Sequence, residues 1–151
     1  MPTITPFLWF SDDAEAAITF YCGLFPDAKL IDAQRGPDGR FFTGTFELAG
    51  RRFMALNGGP MYTINEAISL FVSCDDQAEI DRLWDALAEG GKPLRCGWIT
   101  DRFGVTWQII PKSLGNFLGG PDREAASRAR AAMMTMVKLD IAGLQAAYDG
   151  R

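Results

Sequence analysis

Few side chains in this sequence could carry out chemistry, and the type that is missing is the most informative. There is no histidine, which removes an imidazole base, a Ser–His pair and a histidine metal ligand. The cysteines Cys22, Cys74 and Cys96 lie far apart without a CxxC pair, so free, mostly buried thiols in a reducing compartment are expected, not a zinc site. Cys96 has only Arg95 as a neighbouring cation, too little to activate it as a nucleophile. Glu66 stands just before an apolar run; buried and raised in pKa, it would serve as a general base. Gln108 is a polar amide among apolar neighbours. On a strand it shares a face with Ile110, with Trp107 and Ile109 opposite, and it is expected to face a cavity. Trp9 and Trp98 are large and amphipathic, suited either to core packing or to stacking on a flat ligand.

The glycine pair in Asn57-Gly58-Gly59-Pro60 could turn backbone N–H groups toward an anion. The stretch that follows, Pro60-Met61-Tyr62-Thr63-Ile64, reads as connection and not as helix, so this is no dinucleotide fingerprint. It is either a linker or a loop over a cavity, with Asn57 or Met61 pointing in. Asp101, before Arg102-Phe103-Gly104, is expected to fix a turn.

These residues must be positioned by one domain's worth of chain, since 151 residues are enough to bury a core. A net charge of -4, with no basic run longer than Arg51-Arg52, argues against nucleic acid and against an anionic membrane surface. No basic leader precedes an apolar stretch, and no apolar run nears the roughly 20 residues of a membrane-spanning helix. A cytoplasmic protein is expected.

The elements repeat. Ile4 to Phe10 is an apolar run of strand length followed by Asp12 and Glu15; Ile68 to Cys74 is another, followed by Asp76 and Glu79. Each Asp-x-x-Glu predicts a capping box. Ala17, Phe20, Tyr21 and Leu24 then fall at helical spacing, as do Ile80, Leu83, Trp84 and Leu87. The two caps sit one residue out of step with the two faces. Strands follow each helix: Lys29 to Gln34, Phe41 to Leu48 and Arg52 to Asn57 in the first half; Lys92 to Cys96, Gly97 to Asp101 and Val105 to Ile110 in the second. Beyond Pro111 the pattern is helical, over 113–118, 121–136 and 141–148. Met133, Met134 and Met136 lie in that tail and would serve either core packing or a subunit interface.

At these residues the chain resembles a known family. The run Ile4 to Phe10 with Phe20-Tyr21 and Leu24 to Asp27, the stretch Phe53 to Pro60, Asn65 to Ser69, Asp81 to Trp84, Cys96-Gly97-Trp98 and Asp101 to Ile109 are similar to PhnB-like, 3-demethylubiquinone-9 3-methyltransferase-like members of the vicinal oxygen chelate (glyoxalase/bleomycin resistance/dioxygenase) superfamily. Ala132 to Met136 and Asp140 to Ala142 resemble the helical tail of many members. The resemblance implies an α+β fold: two βαβββ modules, over 1–60 and 65–112, forming one domain, an eight-stranded mixed sheet around a cavity. A helical tail follows over 113–151, and the implied assembly is a homodimer.

Metal-using relatives take His and Glu ligands from the first and last strands of each module. The matching positions here are Thr5 or Pro6, Met54, Glu66 just before the strand, and Gln108. Neutral oxygens and a thioether hold a catalytic divalent ion weakly, so no metal and no other cofactor is expected. The leading expectation is a protein that binds or sequesters an unknown small molecule through Trp9, Met54, Asn57, Met61, Trp98 and Gln108. The alternative is a superfamily enzyme of proton-transfer or lyase type with Glu66 as base. Least favoured is the methyltransferase activity of the family label, because a methyl-donor site wants a Gly-rich strand-to-helix turn and a ribose-binding acid in that order.

Overall fold

The structure, a computed structural model, describes residues Met1–Arg151. It divides into two compact units, Met1–Ile64 and Asn65–Arg151. The tail expected over 113–151 belongs to the second.

The first unit runs β1 (Phe7–Phe10), α1 (Ala14–Cys22), β2 (Lys29–Arg35), β3 (Phe41–Leu48) and β4 (Arg51–Asn57). Its sheet has the order β1-β4-β3-β2, with β1 parallel to β4 and the other pairs antiparallel. In the second unit β5 (Ser69–Cys74), α2 (Gln77–Ala88), β6 (Lys92–Pro93), β7 (Trp98–Thr100) and β8 (Thr106–Pro111) build a sheet of order β5-β8-β7-β6, again with the outer strand parallel. The two βαβββ modules and eight strands are therefore present, as two four-stranded mixed sheets of identical order.

In α2 the periodicity translates directly into packing. Ile80, Leu83, Trp84 and Leu87 are all buried, each aliphatic side chain contributing about 1.5–3 kcal/mol of apolar burial. The Asp76 carboxylate accepts from the Glu79 N–H at 2.9 Å, while the Glu79 carboxylate reaches the Asp75 N–H at 3.4 Å.

Helix α1 departs from expectation. Its buried face is Ala14, Ala17, Ile18 and Tyr21, with Ile18 in the place expected of Phe20. Asp12 does not cap it. The N-cap is Asp13, whose side chain makes no capping bond, and the Glu15 carboxylate pairs with Arg35 on β2. The Ala14 N–H instead donates to Oδ1 of Asn57 at 2.8 Å. This resolves the one-residue mismatch: Asp13, not Asp12, corresponds to Asp76.

The strand expected over Lys92 to Cys96 shrinks to Lys92–Pro93. Cys96 and Gly97 adopt left-handed φ values of 58° and 84°, a conformation that suits Gly97 and strains Cys96. Their N–H groups donate to the carbonyls of Met136 and Val137 at 2.9 and 2.8 Å, so this stretch is a turn docked on the tail. The tail forms α3 (Leu114–Leu118), α4 (Arg123–Met133) and α5 (Ile141–Tyr148) around Phe117, Ala129 and Leu144, with Met133 and Met136 packed against that cluster. Met134 is exposed. No helix is long and apolar enough to cross a membrane.

Candidate functional site

Each sheet has one face covered by its own helix and one turned away from it, and register assigns every side chain to one of these. In the second unit Trp107 and Ile109 are buried on the α2 side. Gln108, between them, points the other way, as the alternation predicted. Directly paired with it are Phe71 on β5 and Trp98 on β7, and cross-strand partners share a face. Gln108 Nε2 donates to Ser69 Oγ at 2.9 Å, which orients the amide and leaves its oxygen available. Trp98 is half-buried and Phe71 is 62% exposed. Farther along the same face, the Thr100 and Thr106 hydroxyls meet at 2.8 Å. Sequence reasoning missed Ser69 and Phe71. The available signal was parity: Ser69, Phe71 and Ser73 alternate with Leu70, Val72 and Cys74, placing an aromatic ring on a strand's polar face.

In the first unit Phe10 and Ala55 lie buried on the α1 side, so Trp9 and Met54 lie on the other. Trp9 pairs with Leu56, and Met54 with Phe7 and Thr45. The Trp9 ring is fixed at both ends: its Nε1 donates to the Gly59 carbonyl at 2.9 Å, and Tyr62 meets it edge-on at 5.0 Å. A side chain at Gly58 would collide with the indole, which is why the loop carries glycine there.

Asn57 is corrected by the geometry. It lies on the α1 side opposite Phe10, and both ends of its amide are engaged: Oδ1 accepts from Ala14, and Nδ2 donates to the Phe41 carbonyl at 3.1 Å. It therefore does not join Trp9 and Met54 on their face. The glycine N–H groups are engaged too, Gly58 to the Phe10 carbonyl at 2.8 Å and Gly59 to that of Ser11 at 3.0 Å. This continues the strand ladder in place of an anion cradle. Met61 is 75% exposed in the segment that follows. Glu66 is exposed in a turn before β5.

The remaining reactive groups are structural. Asp101 is buried; its Oδ1 accepts from the Phe103 and Val105 N–H groups at 2.8 and 3.1 Å, and its Oδ2 from Trp107 Nε1 at 2.9 Å. It fixes the turn as expected. Burial pushes the Cys74 thiol up to about 12, with Glu79 and Asp75 adding to the effect, and burial also raises Cys22. Neither is a thiolate near neutral pH. No group of three or more His, Cys, Asp or Glu side chains is arranged to hold a metal ion. The thioether of Met54 and the amide of Gln108 do not fit a catalytic divalent ion.

Comparison with known proteins agrees with this geometry. The family model described as 3-demethylubiquinone-9 3-methyltransferase matches residues 2–110. The PhnB protein from Bacillus cereus is 31% identical, with a TM-score of 0.69, over 73% of this chain and 99% of that one. A protein from Pseudomonas aeruginosa, 23% identical with a TM-score of 0.60, covers 74% of this chain and 98% of its own. The fosfomycin resistance protein FosX from Listeria monocytogenes, in complex with Mn(II) and sulfate, shares the fold at 13% identity and a TM-score of 0.53, over 71% of this chain and 89% of its own. No curated protein matches the chain. With two βαβββ modules and a family match spanning both, the chain belongs to the PhnB-like, 3-demethylubiquinone-9 3-methyltransferase-like family.

Proposed function

We propose that this chain binds and holds a small, flat, largely apolar molecule against the sheet face turned away from α2, without a metal and as a homodimer. The observation that carries this reading is the cross-strand trio Phe71, Gln108 and Trp98. Two aromatic surfaces flank one amide whose donor end is already held by Ser69. Such a set offers stacking area together with a single oriented acceptor, the usual composition of a small-molecule site. Trp9 and Met54 supply similar apolar surface in the first unit.

The enzyme reading with Glu66 as base loses its support, because that carboxylate is exposed. The methyltransferase reading has no Gly-rich turn into a helix to rest on: Gly58 and Gly59 continue a ladder, and the next element is β5.

The test is a titration of the full chain with 2-naphthol, followed by tryptophan fluorescence and by backbone amide shifts. Saturable binding that maps to β5, β7 and β8 and weakens about tenfold in W98A, on the energy of a lost aromatic contact, is the expected result. Binding indifferent to both W98A and Q108A would sink the reading, and heat of binding with S-adenosylmethionine in calorimetry would favour the methyltransferase.

A further inference from the structure

The tail, which lies beyond the residues 2–110 matched by the family model, carries a cluster of polar groups that neither sheet uses. Helix α4 holds Arg123, Arg128 and Arg130. Arg128 is committed to the end of α5: its Nε donates to the Ala147 carbonyl at 3.0 Å and an Nη to that of Tyr148 at 2.6 Å. The guanidinium groups of Arg123 and Arg130 have no carboxylate or carbonyl partner. Seven residues apart, they sit two helical turns from one another on one side of α4, about 10 Å along the axis, with Ser127 between them.

These three side chains line a cleft of about 540 Å³ closed on its other side by Leu118 to Pro121. The nearby acids do not neutralise it. Asp122 accepts from the Ala125 N–H at 3.0 Å as the helix cap, and Glu124 projects about 100° round the helix from Arg123. Two unpaired guanidiniums facing one cleft, in a chain of net charge -4, repel one another until an anion lies between them.

We propose that this cleft binds the phosphoryl group of a small organic phosphate. Arg123 and Arg130 take its oxygens through their planar forks, the geometry in which arginine exceeds lysine as an oxyanion ligand. The Ser127 hydroxyl donates a further bond, and Leu118, Pro121 and Ala126 cover the carbon body. The volume lies within the range of small-ligand sites, and the site stands independently of the sheet-face reading above.

The experiment is calorimetry and amide-shift mapping on the full chain with phenyl phosphate, inorganic phosphate and benzoate at low ionic strength. Phenyl phosphate is expected to bind saturably with shifts confined to 118–130, and to bind several-fold more tightly than inorganic phosphate, which lacks the apolar body. R123Q and R130Q should each weaken it about tenfold, on the strength of charge-assisted hydrogen bonds. R51Q, on β4, should leave it unchanged. Glutamine keeps the helix propensity of these exposed positions, and unaltered circular dichroism would show that the variants fold. Shifts spread over all surface arginines, or an equal loss in R51Q, would overturn the site. Benzoate binding as tightly as phenyl phosphate would overturn the phosphoryl assignment.

Discussion

The side-chain oxygen of Asn57 lies 2.8 Å from the backbone N–H of Ala14, so the last residue of β4 caps the first turn of α1 across 43 residues of sequence. The same amide donates to the Phe41 carbonyl. N57A should therefore destabilise the chain by about 1–2 kcal/mol, the size of a lost helix cap, read as a shift in the urea midpoint. N57D, which keeps the acceptor toward Ala14, should recover part of that loss; equal loss in both would remove the capping role.

Gln77 clamps the tail to α2. Its Nε2 donates to Asp81 at 3.0 Å and to the Leu139 carbonyl at 3.1 Å, and its Oε1 accepts from the Ile141 N–H at 2.8 Å. Q77A should cost about 1–2 kcal/mol. Its distinguishing sign is faster hydrogen exchange at the Ile141 amide with the β8 amides unaffected, since only the tail is released.

Asp101 is the most heavily bonded carboxylate in the second unit. D101A strands two backbone N–H groups and the Trp107 indole in a buried setting and should destabilise by about 3 kcal/mol or more. D101N should fall between, because its NH2 would face the indole N–H, donor against donor. A melting temperature for D101N at or below that of D101A would contradict this account.

Cys74 makes stability depend on alkaline pH. Its folded pKa is about 12, against an ordinary 9.0, so between those values the unfolded chain has released a proton that the folded chain keeps. Its contribution is fully present below pH 9 and declines as pH rises toward 12. Urea midpoints measured across that window should fall less steeply in C74A than in the parent chain. At pH 8 the native Cys74 should not react with iodoacetamide while the unfolded chain does.

Much of the fold was legible because much of it is periodic. Ile80, Leu83, Trp84 and Leu87 recur at helical spacing and are the buried face of α2; the alternation around Gln108 put it on the side away from that helix. The duplicated run, helix and strands imply the doubled module by their order alone. Three features were not legible, each because a partner remote in sequence decides it. Asp12 looked like a cap, but Asn57 reaches α1 first. Lys92 to Cys96 looked like a strand, but the carbonyls of Met136 and Val137 draw Cys96 and Gly97 into a turn. Phe71 and Ser69 were passed over, since only pairing with β8 sets them beside Gln108.

The sequence by itself determined the class of elements, the doubled module and, through the absence of histidine, the chemistry that is closed to this protein. Those follow from composition and from spacings of two to four residues, which each stretch of chain carries alone. The tertiary structure decided which polar groups are free to meet a ligand. Asn57 lost that freedom to Ala14 and Phe41, Gly58 and Gly59 to the β1 end, and Arg128 to α5, whereas the Gln108 oxygen, Arg123 and Arg130 kept theirs. A buried or turn-forming polar group must find a partner wherever the fold brings one, and that pairing depends on distances that no local pattern encodes.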